Sequence, residues 1–353
     1  MNWSPYINYL VSLESQNRFS GVVRVTQGDS ERFALAAGYA SRDWAIPNDM
    51  RMRFDTASIT KLLTAVAALQ MVDRGAFALD TKAIPYLHLC DTTISPQATV
   101  FHLLTHSSGI GDDADEEAGE IYEDLWRERP CYSVVETADL LPQFAQKPAV
   151  FAPGEGCRYN NCAYVLLGLM IEKATGLSYR DYVERHVMRP AGMHDSGFFR
   201  MDRVRQRVAE GADPIRGDDG TVIGWKRNIY SYPPIGSPDA GALVTAADLD
   251  RFLRSVRAGS LLSPELTEAF FQPEVRYRAK GNHTIMYGLG LWFHVLLSGE
   301  VLFCEKEGIN AGVSGMVRYY PQSDVCAVIL SNMEDGAWEP MARLHDEIIS
   351  RYY

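Results

Sequence analysis

The chain has 353 residues, 46% of them hydrophobic and 22% charged, ordinary globular values with material for a large core or two domains. Its formal net charge of -11 argues against a nucleic-acid partner and against docking on an anionic membrane surface. No apolar run approaches a membrane span, and the opening Met1 to Asn8 lacks a basic stretch leading into an apolar one, so no signal peptide and a cytoplasmic location are expected.

In chain order, Ser20 to Thr26 alternates apolar and polar residues, and a turn leads to Phe33 to Tyr39, so residues 20 to 55 are expected to be strands and turns. Phe54 to Gly75 then carries a helical pattern that opens on Ser58-Ile59-Thr60-Lys61. Residues three apart share a helix face, so the Ser58 hydroxyl and Lys61 amine can meet. A hydroxyl needs a base to become a nucleophile, and a desolvated lysine can serve. The helix start also favours negative charge on the attacked oxygen.

His102-Leu103-Leu104-Thr105-His106-Ser107-Ser108-Gly109 follows. His102 and His106 are four apart, but no glutamate lies between them in a zinc pattern and no third ligand is evident, so both are read as structural and no metal or cofactor is expected. Between Gly111 and Leu125 stand Asp112, Asp113, Asp115, Glu116, Glu117, Glu120, Glu123 and Asp124, with no Lys or Arg. A solvated loop is the plainer reading, and an acidic lid that selects amines is the sharper one. Helices are expected over 58 to 74, 132 to 146, 162 to 175 and 178 to 188, with Gly75 and Gly176 at C-caps.

Just before the helix from Cys162 lies Tyr159-Asn160-Asn161. A phenolate beside an ammonium can act as a base, because positive charge lowers the phenol pKa. The Asn161 amide suits holding a lysine and a substrate. Further on, Asp248 to Val256 reads as helix. Met286 to Leu297, Val301 to Cys304, Gly315 to Tyr320 and Val325 to Asn332 read as strands, and Trp338 to Tyr353 as a closing helix. Lys306-Glu307-Gly308 ends one strand, adding a cation and a glycine against which a substrate can lie. The six cysteines show no C-x-x-C spacing, so free thiols are expected. Strands at both chain ends around a helical middle suggest an α/β chain of the α+β type. A sheet domain would span 1-78 and 206-353, a mainly helical insertion 79-205, and the active site would sit at their interface.

Taken together, Phe54 to Lys61, His102 to Gly109, Pro153-Gly154 leading to Tyr159 and Asn161, Pro190 to Met193, Asp239 to Leu249 and the 306 to 332 strands resemble the serine β-lactamase and penicillin-binding-protein-like superfamily. The likeness is to the branch with class C β-lactamases, DD-carboxypeptidases, D-aminopeptidases and family VIII esterases, over roughly residues 20 to 350. It implies a β-lactamase/transpeptidase-like fold with an antiparallel sheet flanked by helices. It also implies two-step acyl transfer with Ser58 as nucleophile, Lys61 taking or relaying its proton and Tyr159 as partner base. Asn161 would position Lys61 and the substrate, Lys306 would set the electrostatics around Tyr159, and the backbone N–H groups of Ser58 and Ile309, next to Gly308, would form the oxyanion hole.

The third motif departs from the family's Lys-Thr-Gly, since Glu307 stands in the middle. A second register would put Ile309 at the basic position; Lys306 is preferred because it keeps the distance to Tyr319-Tyr320-Pro321 without a gap. A carboxylate at 307 could repel a substrate anion by on the order of 1–4 kcal/mol, unless it sits on the other face of the strand. The expected substrates are small esters, amides or peptides, with carboxylesterase or amidase activity favoured. A class C-like β-lactamase, a D-amino-acid peptidase or DD-carboxypeptidase, and a sensor that acylates without turnover stand as alternatives. Tyr122, Trp126, Trp225, Tyr230, Tyr232 and Trp292 are candidate pocket walls.

Overall fold

The computed structural model describes residues 2–115 and 118–353. Its centre is one antiparallel sheet of eight strands: β1 Gly21–Gln27, β2 Ser30–Ala37, β3 Val275–Lys280, β4 His283–Tyr287, β5 Trp292–Leu296, β6 Val301–Asn310, β7 Val313–Tyr320 and β8 Val325–Ser331. Their spatial order is β2-β1-β8-β7-β6-β5-β4-β3. The chain ends meet where β1 pairs with β8, Gly21 opposite Ser331 and Gln27 opposite Val325. Every residue of β7 and β8 is buried, because helices cover both sheet faces.

The pleat sorts side chains between two cores, since successive residues point to opposite faces. Val22, Cys304, Val317, Tyr319, Val328 and Leu330 join the larger core, with helices α2 Lys61–Asp73, α3 Cys162–Thr175 and α4 Ala246–Arg257. Their neighbours Val23, Phe303, Met316, Tyr320, Ala327 and Ile329 face the smaller core, under α1 Ser4–Ser15 and α5 Trp338–Tyr352. The larger cluster runs on without a break to Leu104 and Leu167 in the helical middle of the chain. Helix α2 is buried from Lys61 to Met71, as a helix apolar on all sides must be.

Three elements differ from sequence expectation. The helix expected over 132 to 146 is not formed: the segment makes 3-10 turns at Cys131–Ser133 and Thr137–Gln143, and Pro142 removes a donor inside the second. The strand expected from Met286 to Leu297 is two, β4 and β5, parted at Gly288 to Leu291 where Gly290 takes φ +118°. Ser58 precedes α2 in a 3-10 turn, Ala57–Thr60. Among the described residues no helix is long and apolar enough to cross a membrane.

Candidate active site

Ser58 sits half-buried at the mouth of α2, one turn before a lysine that is wholly buried. An ammonium there must give each proton an acceptor or pay heavily for desolvation. Lys61 Nζ donates to Ser58 Oγ at 3.1 Å, to Asn161 Oδ1 at 2.7 Å and to the Asp239 carbonyl at 2.8 Å. Three donors and three acceptors suit the protonated amine. The Tyr159 hydroxyl reaches Ser58 Oγ from another side, at 2.5 Å. The structure therefore brings Ser58, Lys61, Tyr159 and Asn161 into one hydrogen-bonded group, although the serine and the tyrosine are 101 residues apart.

Lys306, also buried, enters from β6. Its Nζ lies 4.8 Å from the Tyr159 ring centre and 4.4 Å from that of Trp292, while Lys61 Nζ lies 5.0 Å from the Tyr159 ring. The phenol is thus flanked by two ammonium groups. Lys306, and not Ile309, occupies the place over Tyr159; Ile309 is exposed on the opposite pleat.

Strand β6 pairs with β5 only as far as Glu305. Beyond that its open edge packs on the Ser58 turn. Gly308 makes the approach possible: a Cβ there would stand 2.2 Å from the Thr56 carbonyl oxygen and 3.0 Å from the Ser58 nitrogen. The glycine is needed to seat the strand on the Ser58 turn, a tighter demand than clearing room for a substrate.

Glu307 corrects the sequence reading. It pairs across from Met316, a member of the core under α5, so its pleat faces away from Ser58. Burial and then Glu305 raise its pKa. Glu307 therefore does not stand where an incoming carboxylate would meet it. Glu305, on the same face, accepts from Arg318 Nε at 2.9 Å and shares a 2.8 Å hydrogen bond with His294 Nε2. Burial pushes its carboxyl up, but Arg318 and the His294 hydrogen bond outweigh it and hold it at about 2. This buried ion cluster fixes the strand whose next residue is Lys306.

The described members of the acidic run are engaged within the fold. Asp112 accepts the backbone N–H groups of Asn161, at 2.9 Å, and Cys162, at 3.1 Å, and so holds the start of α3. Asp113 is buried, and its pKa is well raised by burial, then by Asp112 and Asp239. Asp115 pairs with Arg158, Glu120 with Lys147, Glu123 with Lys226 and Asp124 with Arg127. Glu116 and Glu117 lie outside the described residues. Asp112, Asp113 and Cys162 bring potential ligand atoms within 4.8 Å of one another. Those atoms are engaged, however: Asp112 on α3, and the Cys162 sulfur as acceptor of the Asp113 N–H at 3.1 Å.

His106 was read as structural, and its packing gives it a place beside the site. Its ring is 4.7 Å from that of Tyr159, and its Nδ1 accepts the Asn160 N–H at 3.0 Å. Burial first, then Lys306 and Lys61, press its pKa well below the usual value, so it backs Tyr159 as a neutral ring. His102 closes a capping box with Thr99. The six cysteines are free.

Of the proposed wall aromatics, Trp292 packs edge-on to Tyr159. Tyr122 and Tyr232 line a cavity of about 340 Å³ whose walls include Ala57 but not Ser58, Lys61, Tyr159, Asn161 or Lys306. Trp225 stacks under Arg42, Trp126 is buried in the larger core and Tyr230 is largely exposed, so these three do not line it. Sequence reasoning did not find His106, Asp112 and the Asp239 carbonyl as parts of the site. All three act through backbone or long-range contacts that carry no spacing signal.

The Beta-lactamase family model matches residues 10–348. Esterase EstB of Burkholderia gladioli is 31% identical over 278 residues, 71% of this chain and 69% of that protein. Penicillin-binding protein 4* of Bacillus subtilis is 24% identical over 346 residues, 92% and 70% of the two chains. The crystal structure of a penicillin binding protein from Bacillus halodurans superposes with a TM-score of 0.87 at 34% identity, covering 96% of this chain and 99% of that one. With an eight-stranded antiparallel sheet and a serine held between a lysine and a tyrosine, the chain belongs to the Beta-lactamase family and is a serine hydrolase.

Proposed function

We propose that the chain hydrolyses small esters or amides through an acyl-enzyme on Ser58. The observation that carries this reading is Ser58 Oγ in hydrogen-bond contact with both Lys61 Nζ and Tyr159 OH. Tyr159, as phenolate between two ammonium groups, takes the Ser58 proton as Oγ attacks the carbonyl carbon. The oxyanion forms at the N–H groups of Ser58 and Ile309. Collapse of the tetrahedral adduct breaks the bond to the alcohol or amine, which leaves with the proton from Tyr159. Water then attacks the acyl-enzyme, Tyr159 again taking the proton, and Ser58 regains it as the acid is released. Lys61 stays charged, and Asn161 holds it in place.

The esterase relative supports carboxylester substrates, and the penicillin-binding relatives support acylation by amides. Because Glu307 points away from Ser58, a carboxylate-bearing β-lactam must be tested directly. Hydrolysis of p-nitrophenyl butyrate and nitrocefin, with Ser58→Ala as control, does so. Ester turnover that is lost in the variant is the expected result. Fast nitrocefin turnover would make the chain a β-lactamase, and one stoichiometric burst without turnover would make it a sensor.

A further inference from the structure

We propose that His106 is a positioning residue of the acyl-transfer site: it ties down the chain on both sides of Tyr159 and backs the phenol ring, and so sets the aim of the Tyr159 hydroxyl at Ser58. The proposal rests on the acyl-transfer reading of Ser58. The His106 carbonyl accepts the Arg158 N–H at 2.9 Å, and its ring Nδ1 accepts the Asn160 N–H at 3.0 Å. The same ring lies 4.7 Å from that of Tyr159, the residue between those two. One buried side chain and its own carbonyl thus hold Tyr159 from three directions.

The local chain explains how one histidine does this. His106 follows the short helix Val100–Leu104 and takes φ +55°, a left-handed turn that His and Asn enter more readily than most residues. The chain after it runs beside the tyrosine loop. The Ser107 carbonyl accepts the Gly154 N–H at 2.9 Å, and the Ile110 carbonyl accepts from Asn160 Nδ2 at 2.8 Å. Asn160 Oδ1 accepts the Ala163 N–H at 2.7 Å. The Asn160 side chain is therefore committed to Ile110 and to α3, and its backbone N–H is left to the His106 ring.

An accepting Nδ1 places the proton of the neutral ring on Nε2. A second proton would set N–H against N–H and open the bond to Asn160. The surroundings oppose it. Tyr164 of α3 and Tyr287 of β4 face the ring at 5.2 and 4.9 Å, alongside Tyr159, and Nε2 makes no hydrogen bond among the described residues. Burial, then Lys306 and Lys61, hold the pKa well below its usual value. The ring therefore keeps its acceptor at neutral pH and adds no third cation beside Tyr159. The aim it protects is demanding, since a misplacement of about 1 Å can cost on the order of 100-fold in rate.

The test compares three variants of the whole protein. His106→Asn sets an amide oxygen near the place of Nδ1 and tolerates the left-handed turn. His106→Gly tolerates the turn and has no acceptor. His106→Gln fills more of the ring's volume but carries its amide one bond further out. In p-nitrophenyl butyrate hydrolysis at pH 7.5, H106N should keep kcat within about 10-fold of wild type. H106G and H106Q should lose about 100-fold or more in kcat with KM changed by less than about threefold, because Tyr159 acts in the chemical step. Exchange of the Asn160 amide, followed by NMR, should be about 10-fold or more faster in H106G than in H106N. A kcat order that follows side-chain volume, with H106Q above H106N, would overturn the proposal, as would equal kcat and equal exchange in H106N and H106G. The H106N and H106Q pair decides if H106G fails to fold. The exchange measurement needs no turnover, so hydrolysis that persists in Ser58→Ala would sink the acyl-transfer reading and leave the clamp to be judged by exchange.

Discussion

Replacing Asp55 by Asn should make the protein more stable at neutral pH, although the residue holds the turn that leads into Ser58. Each pKa unit is worth about 1.4 kcal/mol. A carboxyl held at about 6 by burial instead of its ordinary 3.8 therefore costs the folded state about 2–3 kcal/mol once ionised. Asn removes that cost and still presents an oxygen to the Ala57 N–H. The sign follows from linkage: the folded-state pKa is raised, so the proton on Asp55 stabilises the fold below the unfolded pKa, and that stabilisation is lost as pH rises through about 6. Wild type and D55N should then differ little at pH 4 and separate between about pH 4 and 6, with D55N the more stable by about 2–3 kcal/mol at pH 7. Urea unfolding of both proteins at several pH values from 4 to 8 measures the gap. A gap that does not change with pH, or a less stable D55N at pH 7, would refute the picture of an uncompensated carboxylate.

Gly308→Ala should lower activity by about 100-fold or more, because its Cβ would displace the backbone of the Ser58 turn; it should also cost about 1–3 kcal/mol in unfolding experiments, and wild-type kinetics in this variant would contradict the close contact. Glu305→Gln leaves Arg318 buried with a weakened partner and should cost about 3–5 kcal/mol at pH 7. Because the Glu305 pKa is depressed, its contribution is present above the ordinary carboxyl range and is lost as pH falls toward about 2; thermal unfolding should show the two proteins converging at low pH, and a constant difference would count against it. Lys306→Met should reduce hydrolysis at least about 10-fold by removing one of the two charges beside Tyr159, whereas Ile309→Val, which keeps the backbone N–H and alters an exposed side chain, should cost less than about threefold. Equal losses in the two would argue for the other register.

The spacing of Ser58 and Lys61 was legible because both lie on one turn of chain. Tyr159, Asn161 and Lys306 were legible through motif order, since nothing local to them announces a shared site. The paired strands near the two chain ends showed as an alternating run at Ser20 to Thr26 and an apolar run at Val325 to Asn332. What stayed hidden depends on register or on backbone. Glu307 looked like a barrier to carboxylates until pairing with Met316 set its face. The acidic run reads in sequence as a solvated loop, with an acidic lid as the sharper alternative, but its partners Arg158, Lys147 and Lys226 come from other segments. Residues 132 to 146 kept a helical apolar rhythm, and Pro142 with the Glu136 and Asp139 capping box broke it into 3-10 turns.

The central claim, that Ser58 carries the acyl group, is tested most directly by intact-mass spectrometry of the protein quenched in acid during turnover of p-nitrophenyl butyrate. The account predicts one butyryl adduct, mapped by peptide digestion to Ser58 and absent from Ser58→Ala, with hydrolysis lost in the same variant. Hydrolysis that persists in Ser58→Ala, or an adduct on any other residue, would contradict it.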